Sequence, residues 1–317
     1  MATPVFLTID TELMWRHHAA GLPADDVVRR SLEPAGVGVA YQLATLARHG
    51  LKAIFFVDPM PALVHGDAWL RDVVAQVLAG GQEVQLHLHP NWTGADAADR
   101  TAHAPFELID YTATQQRDLI ARARDLLMAA GAPAPIAFRS GSYAANDDTL
   151  ASLTALGFVY DSSHNGSEHP WPSAIALPER RIAPVVHRGL IEVPVTTIED
   201  RAGKLRHFQL CALSSAEMRA ALDHAVREDH AAVTIVSHGF ELANRTGTRA
   251  NTVHVRRFEA LCRMLAERSD VLPTTHFADR PALPLTRDDA PLGPSVWRTS
   301  LRRAEQLWSN MVAERAA

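Results

Sequence analysis

The sequence has little cysteine, no block of like charge and no long apolar run, and each absence excludes a class of protein. The two cysteines, Cys211 and Cys262, stand in apolar patterns and form no Cys-x-x-Cys pair. A disulfide scaffold is therefore excluded, and buried thiols in a reducing compartment are expected. The 31 basic and 36 acidic residues leave a net charge of −5, and no basic block occurs. We therefore expect no nucleic-acid partner.

Two further absences concern membranes and export. No window approaches the roughly 20 apolar residues that a membrane-spanning helix needs. The first ten residues, MATPVFLTID, lack a basic region followed by an apolar stretch. We therefore predict no signal peptide and a cytoplasmic protein. The composition, with 47% hydrophobic and 21% charged residues, is ordinary for a globular protein. The sequence pattern does not indicate which oligomeric state the protein has.

Short apolar runs alternate with amphipathic stretches along most of the chain, which indicates repeated β-α units around a parallel sheet. A helix is predicted over 34–49, and Thr112 and Ser214 are predicted to begin two later helices with capping boxes. The predicted strands are 5–9, 52–57, 83–89, 135–139, 158–161, 190–196, 231–237 and 271–275. This number suits a closed or nearly closed barrel over residues 1–280, followed by a proline-rich and then helical extension over 281–317. The inserts 15–32, 91–108 and 162–186 follow strands, so they should lie on the face where barrel sites are built.

Strand alternation places polar side chains together on two strands. Asp10 and Glu12 share one side of the first strand, and Gln85, His87 and His89 share one side of the third. Two carboxylates and two imidazoles match the ligands of a divalent metal ion. Exposed histidines on a surface strand are the alternative. We favour the metal, because a strand buried on both sides should be almost wholly apolar.

Three other ionisable residues, Arg139, Glu192 and His238, lie where predicted strands end. Each has an ordinary interpretation: Arg139 as a salt-bridge residue, Glu192 as a solvated strand residue, and His238 as a strand end before a glycine. Taken together, ionisable residues at the ends of successive apolar strands favour a functional site.

Five segments in this order resemble the motifs of NodB-like polysaccharide deacetylases. They are LTIDTE at 7–12, GQEVQLH at 81–87, FRSGSY at 138–143, GFVYDSS at 157–163 and VSH at 236–238. The resemblance spans residues 5–275 and implies an α/β fold, a distorted (β/α)7-type barrel. It implies a metal-dependent hydrolase that removes N- or O-linked acetyl groups from a sugar or polysaccharide precursor. The divergent motifs are similar to deacetylase-like proteins of bacterial surface-polysaccharide synthesis.

The resemblance also implies residue roles. Asp10 stands at the position of the catalytic base, Arg139 at that of the residue that orients it, and His238 at that of the general acid. His87 stands at a metal-ligand position, and zinc is the expected metal.

The chain departs from the family pattern at two metal positions. Thr11 replaces the second aspartate and Asn91 replaces the second histidine. We expect Glu12 and His89 to compensate, so that Glu12, His87 and His89 form the ligand set. If Asp10 is instead a ligand, Glu12 becomes the candidate base.

The loops supply the candidate substrate-binding residues Asn91, Trp92 and Tyr143. An acetylated sugar or glycan precursor is the expected partner. Three alternatives stay open: a glycan-binding barrel that has lost its metal, a glycosidase using carboxylates such as Asp10 and Glu192, and a hydrolase of non-sugar amides or esters.

Overall fold

A computed structural model describes residues 2–99 and 101–313. The strands are β1 (Val5–Thr11), β2 (Ile54–Val57), β3 (Glu83–Leu88), β4 (Ala137–Ser140), β5 (Tyr160–Asp161), β6 (Val185–His187), β7 (Leu190–Glu192), β8 (Thr197–Arg201), β9 (Lys204–His207) and β10 (Val233–His238). The α-helices are α1 (Trp15–Ala19), α2 (Ala24–Leu32), α3 (Val39–His49), α4 (Ala62–His65), α5 (Ala68–Ala79), α6 (Ala113–Ala129), α7 (Asp147–Ala155), α8 (Ser215–Arg227), α9 (Thr252–Ala266) and α10 (Val296–Trp308).

Eight strands form one sheet in the order β10-β1-β2-β3-β4-β5-β7-β6, and β8 and β9 form a separate hairpin. Neighbours in the large sheet are parallel except for the antiparallel pair β6 and β7. The chain beyond β7 then crosses to β10, where the Thr196 amide donates to the Thr234 carbonyl at 3.2 Å and Leu210 to Val236 at 3.0 Å. The sheet therefore curls into a distorted α/β barrel, as predicted.

The sheet separates two apolar cores. Alternate residues of β1 show the division: Val5, Leu7 and Ile9 pack against the outer helices, whereas Phe6 lies inside the barrel. There Phe6 stacks on Phe277 with ring centroids 4.6 Å apart. Because strand side chains alternate, the residues that follow Phe6 on the inner side are polar ones, and they lie above an apolar floor.

Local signals in the sequence set several helix ends. The capping boxes predicted at Thr112 and Ser214 are confirmed, with Gln115 and Glu217 as the reciprocal partners. Gly50 ends α3 in the left-handed conformation with φ 62°, which a glycine adopts without strain. Both cysteines are free thiols. None of the helices in the described part of the chain is both long and apolar enough to cross a membrane.

Three predicted elements are wrong in extent. The helix expected over 34–49 begins as a separate 3-10 turn, Pro34–Gly36, and α3 starts only at Val39. The strand expected over 190–196 ends at Glu192, before Pro194. The strand expected over 271–275 is reduced to one bridge between Val5 and Thr274. Pro194 and Pro273 explain the last two differences, because proline has no N–H to donate to a ladder.

Candidate metal centre and active site

Strand register brings the candidate residues together at the carboxyl end of the sheet. Asp10 on β1 is paired in register with His238 on β10, and His87 on β3 is paired with Arg139 on β4. Across β2 the register aligns Asp10 with Gln85, so His87 and Arg139 lie two residues further towards the carboxyl end of the sheet than Asp10 and His238. The predicted alternation holds on both strands, because Asp10 and His87 line the interior while Ile9 and Leu88 belong to the outer core.

Glu12, His87 and His89 form one cluster. Their nitrogen and carboxylate ligand atoms all lie within 4.8 Å of one another. Glu12 Oε2 is 2.5 Å from His89 Nε2 and 3.8 Å from His87 Nε2. The His87 Nδ1 atom lies 2.8 Å from the Arg139 carbonyl oxygen, which directs the other ring nitrogen towards Glu12. The carboxylate in this cluster is thus Glu12, and Asp10 has other partners.

The three residues fit a divalent metal ion. Two imidazoles and one carboxylate are a common donor set of catalytic zinc sites, and a carbonyl that holds the second nitrogen of a ligand histidine is a common supporting contact. Burial lowers the pKa of His87 to about 4, so its ring is neutral and able to ligate at pH 7. Burial would also lower the pKa of His89, but the charge of Glu12 and the hydrogen bond to it raise that pKa to about 9. Metal binding therefore has to displace the proton that His89 shares with Glu12.

A glycine makes room for the second histidine. A Cβ atom at Gly141 would collide with the ring of His89, at Cε1 and Nδ1. Gly141 follows β4 directly, so the ring of His89 packs against the backbone at the end of that strand. Any larger residue at this position would push the imidazole out of the cluster.

Asp10 belongs to a second group, which centres on Arg139. The Arg139 guanidinium is fully buried and donates from Nη1 to Asp10 Oδ1 at 2.8 Å and to Thr8 Oγ1 at 2.7 Å. It also donates to the Ser162 carbonyl at 3.1 Å and to Ser162 Oγ at 3.0 Å. Its carbon Cζ lies 4.5 Å from the centre of the Phe56 ring. This set of contacts holds the Asp10 carboxylate in one orientation.

Two more carboxyl groups, Asp161 and Glu192, lie behind Arg139 and are fully buried. Burial and the charge of Asp161 raise the pKa of Glu192 well above its usual range. Burial also raises the pKa of Asp161, so both carboxyl groups are shifted towards the protonated form, Glu192 more strongly. Glu192 accepts a hydrogen bond from the His164 amide at 2.9 Å and does not line the cavity.

His238 stands on the other side of Asp10. Its Nε2 atom is 3.9 Å from Asp10 Oδ2 and its Nδ1 atom is 3.8 Å from Glu241 Oε1. Gln209 Nε2 donates to the same Glu241 oxygen at 2.7 Å. Burial would lower the pKa of His238, but the nearby carboxylate of Glu241 and the charge of Asp10 raise that pKa to about 9. His238 is therefore protonated at neutral pH.

These groups surround a cavity of about 230 Å³. It is lined by Asp10, Glu12, His87, His89, Ser140, Ser142, Tyr143, Gln209 and His238. Among the predicted substrate-binding residues only Tyr143 lines it, and the buried Tyr143 hydroxyl has no hydrogen-bond partner among the described residues.

The other two predicted substrate-binding residues lie elsewhere. Trp92 is 1% exposed and packs against Trp15, with ring centroids 4.9 Å apart. Asn91 is 2% exposed beside it in the same 3-10 turn, Pro90–Trp92. The insert folds back over α1, so these side chains complete the core and are not placed for a ligand in the cavity.

Sequence reasoning missed Glu241, Gln209 and Gly141. Glu241 lies three residues after His238 in a loop, and Gln209 comes from the segment between β9 and α8. In the sequence, only the three-residue spacing between His238 and Glu241 indicates that Glu241 belongs to the site.

Proteins similar to this chain are found among solved structures and not by sequence. No family model and no curated protein matches the sequence. A solved protein of Mycobacterium smegmatis, assigned as a polysaccharide deacetylase, aligns with TM-score 0.52 and 19% identity over 91% of this chain and 95% of that chain. A 4-alpha-glucanotransferase from Thermococcus litoralis aligns with TM-score 0.51 and 11% identity over 87% of this chain and 38% of that one.

A family 4 carbohydrate esterase from Streptomyces lividans aligns with TM-score 0.44 and 14% identity over 91% of this chain and 98% of that one. This TM-score is too low to support an argument. The M. smegmatis protein confirms the predicted fold, a distorted barrel of the polysaccharide deacetylase kind. At 19% identity the likeness concerns the fold alone.

Proposed function

We propose that this protein is a metal-dependent hydrolase that removes an acetyl group from a sugar or polysaccharide precursor. One observation carries the proposal. A three-residue ligand cluster, a carboxylate held by a buried arginine and a protonated histidine all line one cavity. These are the parts that metal-assisted hydrolysis of an acyl group requires.

Each part has a role. A divalent metal ion held by Glu12, His87 and His89 would supply Lewis-acid activation of the water and of the acetyl carbonyl. Asp10 accepts the proton of the attacking water, and Arg139 keeps its carboxylate pointing into the cavity. The alternative in which Glu12 is the base has less support, because Glu12 contacts both histidines whereas Asp10 contacts Arg139.

His238 completes the reaction as the general acid. With a pKa of about 9 it holds a proton at neutral pH, and its Nε2 atom faces the carboxylate that receives the water proton. It can therefore donate to the leaving amine or alkoxide on the same side of the cavity. The Glu241 carboxylate lies on its Nδ1 side, and Gln209 fixes that carboxylate by donating to it at 2.7 Å.

The cavity size supports a small group at the reacting centre. At about 230 Å³ it is below the roughly 300–1,000 Å³ of typical ligand sites. It can hold an acetyl group and part of one sugar ring, so the rest of a glycan would extend outside. Action on a cytoplasmic sugar precursor stays a prediction.

The glycosidase alternative has less support. Its second carboxylate, Glu192, is fully buried beside Asp161, its pKa is raised by burial, and it does not line the cavity. A retaining or inverting glycosidase needs two carboxyl groups that both reach the sugar.

Acetate release from a panel of N- and O-acetylated sugars tests the proposal. We expect release that a chelator abolishes and added zinc restores. Release that survives complete metal removal would reject the metal mechanism. Tight glycan binding without any release by the metal-loaded protein would favour the non-catalytic barrel, and release only from non-sugar amides or esters would reject the sugar substrate.

A further inference from the structure

Two of the three proposed metal ligands lie just beyond the ends of their strands. β1 ends at Thr11 and β3 at Leu88, so Glu12 and His89 each follow the last residue of a strand. His87 lies within β3 and belongs to the ladder that β3 forms with β4. The hydrogen bonds of the sheet therefore fix the position of His87 directly, whereas Glu12 and His89 need other contacts to hold them.

Each of these two ligands is followed, three residues later, by a tryptophan. Trp15 begins α1 after Glu12, and Trp92 ends the 3-10 turn after His89. The two indole rings pack edge to face, with centroids 4.9 Å apart and planes at 71°. Because β2 separates β1 from β3 in the sheet, the tryptophan pair links the two ligand-bearing segments across the end of β2.

The tryptophan pair is packed on more than one side. Trp92 is 1% exposed. The His18 ring lies 4.8 Å from the Trp15 ring and 5.4 Å from the Trp92 ring, and the His65 ring lies 5.7 Å from the Trp92 ring. The His18 Nε2 atom is 3.1 Å from the Asp99 carbonyl oxygen, which fixes this ring in turn. Because a close-packed interior closes up only partly when a large ring is removed, the separation of the two segments depends on both indoles.

We propose that Trp15 and Trp92 act as one unit that positions Glu12 and His89 for the metal ion. This inference rests on the proposed metal centre. Bonds from zinc to carboxylate oxygens and imidazole nitrogens are about 2.0–2.2 Å long, so a small shift of either segment weakens binding. Neither tryptophan is among the described residues that line the cavity, so each acts through the ligand that precedes it in the chain.

Zinc affinity tests the proposal separately from catalysis. Trp92→Leu should weaken zinc binding about 10–100-fold, as the loss of contacts that orient metal ligands typically does. Trp92→Phe keeps an aromatic ring and should retain most of the affinity. Competition with a chromophoric chelator measures both variants, and circular dichroism verifies that each is folded.

The matched control is Phe158→Leu, which also replaces a buried aromatic ring by leucine. Phe158 is 5% exposed and packs on Phe138, with ring centroids 6.3 Å apart. It precedes β5, whereas the proposed ligands lie at the carboxyl end of the sheet. Phe158→Leu should therefore lower the melting temperature and leave zinc affinity unchanged. A control that loses as much zinc affinity as Trp92→Leu would overturn the proposal, because the loss would then follow stability alone.

A double-mutant cycle tests whether the two tryptophans act as one unit. If they do, Trp15→Leu combined with Trp92→Leu should weaken zinc binding no more than the more damaging single substitution. Fold losses that multiply in the double variant would show two independent residues and would overturn the pairing.

Two further results separate this inference from the proposed function. If Trp15→Leu and Trp92→Leu bind zinc as tightly as the wild type, the positioning role is overturned and the metal centre stands. If the wild-type chain binds no zinc, the metal centre itself is rejected, and the positioning role with it.

Discussion

The two halves of the cavity are held together in different ways. On one side Asp10 is oriented by Arg139, which is fully buried and makes hydrogen bonds to Thr8 and Ser162 as well. On the other side Glu12 and His89 bind each other, at 2.5 Å. The proposed base is therefore oriented by the protein alone, whereas the proposed ligand cluster has a proton where a metal ion would bind.

This difference separates the roles of two neighbouring carboxylates. Asp10 should be needed for proton transfer but not for metal binding, whereas Glu12 should be needed chiefly for metal binding. The following predictions test this separation, beginning with the largest expected effect.

The amide variant of Asp10 should lose activity and keep its metal. Asp10→Asn keeps the side-chain shape beside Arg139 but cannot accept a proton, so we expect kcat to fall about 10²–10⁴-fold. Acetate release and metal analysis by mass spectrometry measure the two effects. Glu12→Gln is the matched control, because it makes the same change in the same cavity and should lose metal. Loss of metal from Asp10→Asn but not from Glu12→Gln would mean that Asp10 is the metal ligand and Glu12 the base.

A methyl group added at Gly141 should disturb only the side of the cavity that carries the proposed metal ligands. The new Cβ of Gly141→Ala would displace the ring of His89 without touching the Asp10 and Arg139 pair, so metal affinity should fall about 10–100-fold. Competition with a chromophoric chelator measures the affinity. Gly239→Ala is the control, since its Cβ would meet only Val39 at an ordinary 3.6 Å among side-chain atoms. Equal affinities for Gly141→Ala and the wild type would show that His89 is not a ligand.

Removing the charge of Glu241 should change the pH profile of the acid. Protonated His238 is the active form, so wild-type activity is present below its pKa of about 9 and lost as pH rises through that value. Glu241→Gln removes the charge that contributes most to raising this pKa. The loss should then begin nearer the ordinary histidine value of about 6.5, with activity at pH 8 about 10-fold lower and activity at pH 6 little changed. Superimposable pH profiles for the two proteins would contradict this role for Glu241.

The smallest effect is expected at Tyr143. Its hydroxyl has no hydrogen-bond partner within residues 2–99 and 101–313, so Tyr143→Phe should not lower the melting temperature. If the hydroxyl donates to substrate, KM should rise about 2–10-fold with kcat unchanged. Steady-state kinetics measure this, and an unchanged KM would remove Tyr143 from the substrate contacts.

The sequence predicted the residues whose placement depends on local rules. Strand alternation is such a rule, and it placed Asp10 and His87 inside the barrel before any tertiary contact was known. The α/β alternation predicted the barrel in the same way. The apolar residues around Pro194 and Pro273 predict longer strands than the structure has. Strand pairing ends there because proline has no N–H group to donate.

Residues whose placement depends on loop packing were not predictable. Trp92 was expected to contact substrate because it lies in a long insert, but the insert packs on Trp15 and buries it. Glu241 and Gln209 meet at His238 only because two loops converge there. No periodicity in the sequence encodes such a meeting.

Metal stoichiometry tests the central claim most directly. Protein loaded with zinc and dialysed against metal-free buffer should retain one ion per chain, and the double variant His87→Ala with His89→Ala should retain none. His103→Ala, which alters an exposed histidine paired with Asp99, should bind like the wild type. A wild-type chain without metal, or a double variant that retains as much as the wild type, would contradict the account.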